Sequence, residues 1–133
     1  MRPILFFVLM LVCSVSWADW EWTDVTRSGE RTWYHDKSTK RRSGSIVRMW
    51  TMIDHSALQA HGQGKKFKSA KVFYAFDCRE KELAIISIVE YSGSMGGGEV
   101  VFSHAWKDNE WDWDPIVPGS FDDQNWKIAC VKH

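Results

Sequence analysis

Apolar and polar residues alternate along six runs of the chain, and each run is rich in β-branched or aromatic residues. Such alternation is typical of strands with one buried face. The runs are separated by turn formers, notably Ser43-Gly44, Gly62-Gln63-Gly64 and 92–98. Because these connections are short and a parallel crossover needs about a dozen residues, we expect an antiparallel sheet. The predicted strands are 20–25, 31–36, 46–55, 70–78, 83–91 and 99–105.

The C-terminal segment changes to a helical period. Ser120 follows Pro118-Gly119 and is placed to cap the first turn of a helix over 121–131. Asp123 occupies the position that completes a capping box, and with Asp122 it complements the helix dipole. A helix of about three turns is marginal on its own. We therefore expect this helix to be tethered to the sheet.

The N-terminus has the features of a secretory signal. Arg2 precedes an apolar run over 4–12, and Ser16 and Ala18 provide the small residues of a cleavage site. The run is too short to span a bilayer, so no transmembrane segment is expected. The pattern predicts a signal peptide over 1–18 and a single domain over 19–133. An alternative is lipidation of Cys13, although Val12 stands where a small residue is usual.

Cysteine usage agrees with export to an oxidising compartment. Cleavage after Ala18 would remove Cys13 and leave Cys78 and Cys130, and we interpret this remaining pair as one structural disulfide. Cys78 ends a predicted strand, so the bridge would pin the terminal helix across one face of the sheet. The predicted fold class is α+β, a six-stranded antiparallel sheet with a C-terminal α-helix tethered by a disulfide.

No catalytic or metal-binding constellation stands out. Asp54, His55 and Ser56 are adjacent on a strand and point to alternating faces, so they cannot converge as a triad. The segment 91–96 resembles a nucleophile elbow, but Ser92 replaces its first glycine and no helix pattern follows. The histidines lack the close spacing of a zinc site. These histidines are His35, His55, His61, His104 and His133. We therefore expect no enzyme activity, no cofactor and no bound metal.

Charge is distributed unevenly, although the formal net charge of the chain is zero. The segment 27–81 has 13 basic and 5 acidic residues, whereas 82–133 has 3 basic and 9 acidic residues. One interpretation is a surface field that attracts anionic partners. The other is that the two halves interleave in the sheet and largely cancel.

Two predicted loops concentrate the basic residues. In an exported protein such clusters bind sulfated or phosphorylated polymers, such as glycosaminoglycans or lipopolysaccharide, rather than nucleic acid. The alternative is that both loops are merely solvated. The candidate partner-binding residues are Lys40, Arg41, Arg42, Lys65, Lys66 and Lys68.

Tryptophan is unusually abundant. Eight of the nine tryptophans would remain after cleavage, more than a domain of this size readily buries. Surplus indoles occur at interfaces and on ligand-stacking surfaces. This suggests an alternative function, a periplasmic binding module for a small planar ligand such as haem, which would use tryptophans on the sheet and a histidine.

One set of residues, spread over nearly the whole mature chain, follows the pattern of a known family. These residues are Trp22, Val25, Tyr34, His35, Asp36, Arg42, Gly44, Val47, Trp50, Asp54, Cys78, Tyr91, Met95, Gly96, Gly98, Val100, Val101, Pro118, Ser120 and Cys130. In these positions the chain resembles the surface-adhesin protein E family of Gram-negative bacteria. The resemblance implies an envelope location at the cell surface or in the periplasm and a non-enzymatic adhesin role. It also implies binding to host extracellular-matrix and serum proteins, haem binding and a homodimer.

Overall fold

Six strands form a continuous antiparallel sheet in which each strand pairs with the next one along the chain. The computed structural model describes residues 22–28, 31–60 and 65–131, with side chains for the last two ranges. The main strands are β1 (Trp22–Ser28), β2 (Arg31–Ser43), β3 (Ile46–Ala60), β4 (Lys66–Asp77), β5 (Glu82–Tyr91) and β6 (Val100–Ala105). A two-residue strand, β7 (Asp114–Pro115), also pairs with β5, and helix α1 spans Phe121–Cys130.

This architecture confirms the predicted fold class, with β7 as an addition. The predicted signal peptide lies outside the described residues. Within the described part of the chain, no helix has the length and apolarity needed to cross a membrane.

The prediction that Lys40, Arg41 and Arg42 lie on a loop is wrong. The pairing of β2 with β3 is irregular after Asp36 and resumes at Arg41, so β2 continues to Ser43. The hydroxyl of Thr39 bridges the irregularity, since it donates to the carbonyl of Asp36 and accepts from the backbone N–H of Trp50. The sequence pattern ended the strand early because the alternation stops at this bulge.

One face of the sheet, here called the helix face, holds the core. Alternate residues of the central strands meet there and pack against α1. The indole of Trp33 contacts the ring of Phe121 edge-on at a centroid distance of 4.7 Å. Buried residues on this face include Val47, Met49, Val72 and Phe76.

The helix is capped at its N-terminal end and attached to the sheet farther along. Ser120 accepts a hydrogen bond from the N–H of Asp123, as the capping pattern predicts. At the other end, Cys78 and Cys130 form the predicted disulfide. Between them, the indole Nε1 of Trp126 donates to the carbonyl oxygen of Asp77 at 2.9 Å. The tether expected for a short helix is therefore both covalent and polar.

Candidate functional site

The sheet face opposite α1, here called the open face, presents aromatic and cationic side chains. Trp50 and Phe73 are directly paired across β3 and β4, and their rings stack with centroids 4.9 Å apart. On the same face, the guanidinium of Arg48 lies 5.0 Å from the ring centre of Trp111. Contacts of this kind combine apolar area with electrostatic attraction to the ring.

The β5–β6 loop, residues 92–99, covers one end of the open face. The hydroxyl of Ser69 donates to the carbonyl of Gly93 and accepts from the N–H of Gly96. The carboxylate of Asp54 accepts from the N–H of Met95 at 3.0 Å. The segment that resembles a nucleophile elbow is thus a short 3₁₀ turn, Ser94–Gly96, held down by two strand residues.

The described histidines His35, His55 and His104 lie on three different strands. His35 and His55 are buried, and the ring of His55 contacts Phe67 edge-on. Burial lowers the pKa of His55; Arg31 lowers it further, and Asp54 acts in the opposite direction. His104 lies on the edge strand β6, next to Trp106. These contacts do not confirm the haem-type site suggested by the sequence.

The first basic segment, Lys40, Arg41 and Arg42, lies at the hairpin between β2 and β3. Arg41 and Arg42 are exposed and donate hydrogen bonds to nearby backbone carbonyls, Arg42 to that of Gly44. The Nζ of Lys40 donates to the carbonyl of Val131. Burial lowers the pKa of Lys40, and the charges of Lys37 and Arg42 lower it further.

The second basic segment, Lys65, Lys66 and Lys68, lies beside the opposite end of β3. The prediction that it forms a loop is wrong for Lys66 and Lys68, which belong to the start of β4. Lys66 pairs with Ala60, the last residue of β3, whereas Arg41 pairs with Arg48 near its start. Arg48 in turn pairs with Ala75 of β4, and at about 3.3 Å per residue the stretch of β4 from Lys66 to Ala75 spans roughly 30 Å. The structure therefore does not bring the six candidate residues into one patch; they form two separate basic clusters.

A pocket of about 240 Å³ opens beyond β5, where the chain leaves the sheet between β6 and β7. It is lined by an apolar residue, an indole and three acidic residues: Ile85, Trp106, Glu110, Asp112 and Asp114. Within the described ranges, no group of acidic, histidine or cysteine side chains is arranged to hold a metal ion.

The pocket was not predicted from the sequence. Its signal is the density of tryptophan and acidic residues in 106–114, which includes three tryptophans, four acidic residues and one lysine. The alternation of apolar and polar residues, which identifies strands, does not predict the structure of this segment. The segment leaves the sheet and forms a short 3₁₀ turn, Asp108–Glu110.

Comparison with known proteins gives a consistent result. The sequence profile of surface-adhesin protein E matches residues 22–131. No curated protein matches the chain significantly in sequence. A crystal structure of protein E from non-typeable Haemophilus influenzae is similar in fold, with a TM-score of 0.56 and 15% identity over 81% of this chain and 76% of that one. A second crystal form of Haemophilus influenzae protein E gives a TM-score of 0.56 and 16% identity over 74% and 79%.

Proposed function

Because the chain belongs to the surface-adhesin protein E family, we propose that it is an exported, non-enzymatic adhesin of a Gram-negative bacterium. Its partners are extracellular-matrix proteins or other anionic or proteinaceous molecules of a host. The observation that carries this proposal is the family match, which spans all of the strands and the helix.

We assign the first contact with such partners to the two basic clusters. Both lie at the ends of long strands, and Arg41, Arg42, Lys65 and Lys66 are exposed. Among the described residues, Lys65 and Lys66 form no ion pair that would neutralise them. Because the clusters are roughly 30 Å apart along the sheet, a long polyanion would engage both, whereas a short one would engage one at a time.

Heparin retention tests this assignment. The salt concentration needed to elute the protein should fall with Arg41→Glu and with Lys66→Glu. Each variant neutralises fewer heparin anions, so its binding releases fewer counterions. The double variant should show the sum of the two effects, since distant sites without shared partners act independently. Neither change should lower the melting temperature, because exposed charges contribute little to stability.

The matched control is Lys107→Glu, an exposed charge reversal in the acidic half of the chain. If this variant loses as much retention as the two cluster variants, the basic clusters are not the binding surface. The same conclusion follows if the native protein is not retained on heparin at low salt.

Protease treatment of intact cells tests the adhesin role separately. A surface adhesin should be cleaved before the outer membrane is permeabilised. A chain protected until permeabilisation would instead favour the alternative, a periplasmic binding module for a small planar ligand such as haem. In that case the stacked pair Trp50 and Phe73 would be the first candidate for ligand contact.

A further inference from the structure

The pocket beyond β5 combines three features that together match a single kind of side chain. Its lining residues are Ile85, Trp106, Glu110, Asp112 and Asp114. Its lining contains an apolar side chain, an indole and several carboxylates. From this lining we propose that the pocket receives an arginine side chain of a protein partner. The proposal does not depend on the polyanion binding assigned to the basic clusters.

The pocket is anchored to the sheet at both of its ends. The backbone N–H of Trp106 donates to the carbonyl of Ile86 at 2.8 Å, and Asp114 pairs with Leu83. Between these anchors, the carboxylate of Glu110 accepts from the N–H of Lys107 at 3.0 Å and closes the 3₁₀ turn. A pocket held in this way loses little conformational freedom when a ligand enters.

The size of the pocket favours a side chain over a whole ligand. Pockets for drug-sized molecules have volumes of about 300–1,000 Å³, and this one has about 240 Å³. A single long side chain fits this space. Its aliphatic stem would lie on Ile85 and its charged head would reach the carboxylates.

The lining favours a guanidinium over an ammonium group. A guanidinium is planar, stacks on aromatic rings and donates to carboxylates in a fixed fork, whereas an ammonium is a compact and strongly hydrated charge. The same segment already receives one guanidinium within the chain, since Arg48 lies over the ring of Trp111. Around the pocket, four acidic residues against one lysine in 106–114 keep the local charge negative.

Nuclear magnetic resonance titration of the oxidised protein tests the proposal. The probe is a short glycine-flanked peptide with a central arginine, and its matched control carries the uncharged isostere citrulline. The arginine peptide should shift the Trp106 indole N–H signal in a saturable way, and the citrulline peptide should not. Equal binding of both peptides, or an unmoved Trp106 signal, would overturn the proposal.

Two acidic variants provide the site control. Asp112→Asn removes a charge from the pocket lining and should weaken binding roughly twofold to fivefold, as the loss of an exposed ion pair does. Asp108→Asn removes the same charge from the same segment outside the lining and should leave affinity unchanged. Equal weakening by both variants would mean diffuse attraction to an acidic segment and would refute a defined site.

Two further readouts complete the test. Trp106→Leu, whose folding is verified by its melting temperature, should abolish saturable binding as followed by backbone amide signals. Retention of binding would contradict the role of the indole.

Free arginine amide should bind more weakly than the peptide. If it binds more tightly, the occupant is a small cationic molecule rather than a protein side chain, and the assignment of a protein partner is wrong.

Discussion

Single polar residues decide how the helix and the loops are held. Asp123 is buried on α1, and its carboxylate accepts from the N–H of Gly119 at 2.8 Å. It also lies 3.1 Å from the Nζ of Lys81 and 3.6 Å from that of Lys127. One carboxylate therefore joins the N-terminal turn of the helix to the turn before β5. Of these contacts, the hydrogen bond from Gly119 contributes most to lowering the pKa of Asp123, followed by the hydrogen bond from Lys81.

The lowered pKa of Asp123 predicts an acid-dependent loss of stability. Because the folded-state pKa lies below the ordinary value of 3.8, the stabilisation is present above that value and disappears as pH falls through the folded-state pKa. Asp123→Asn should therefore lower the melting temperature at pH 6, and the difference from the native protein should shrink below about pH 4. Thermal unfolding between pH 6 and pH 2 measures both, with Asp108→Asn as the exposed control.

A difference that stays constant down to pH 2 would contradict the ionic role. It would mean that Asp123 stabilises the protein through its packing and not through its charge.

At the scale of elements, the β5–β6 loop converts part of the open face into a covered surface. Gly98 has a φ of +74°, and an added Cβ would overlap the hydroxyl of Ser92. That hydroxyl accepts from the N–H of Glu99 at 2.9 Å. The glycine-rich stretch is thus an ordered turn whose backbone conformation and close contacts both require glycine.

Gly98→Ala should destabilise the protein by more than backbone strain alone. A non-glycine residue at positive φ costs about 1–3 kcal/mol, and the overlap with Ser92 adds to it. The control is Gly44→Ala, since Gly44 has a φ of +62° and no atom within 4 Å of the added Cβ. Chemical denaturation compares the two variants. Equal losses of stability would mean that the contact with Ser92 has no energetic consequence.

At the scale of the whole molecule, the sheet and the helix are joined by contacts of very different strength. The disulfide links residues 52 positions apart, and closing a loop of that length stabilises a fold by about 4 kcal/mol in the chain-entropy model. Other attachments include the contact of Phe121 with Trp33, the hydrogen bond from Trp126 to Asp77 and the ion pair of Asp123 with Lys81. The strands, in contrast, pair along most of their lengths.

Cys130→Ser should therefore release the helix before the sheet unfolds. Limited proteolysis should cleave the variant first in the connection 116–120 or in the helix, while the sheet core stays protected. Cys78→Ser should give the same pattern, because both substitutions remove the same bridge. Simultaneous loss of helix and sheet would show that the two form one cooperative unit.

The sequence by itself determined the features that depend on neighbouring residues. Alternation predicted the six main strands, and Ser120 with Asp123 predicted the start of α1, because periodicity and capping act over a few positions. Tertiary structure decided which segments meet. Strand register separates Lys66 from Arg41, and the path of the chain between β6 and β7 places Asp112 in the same pocket as Ile85. These arrangements rest on contacts between distant residues, which the local pattern of a chain does not encode, so the candidate surfaces emerged only from the folded protein.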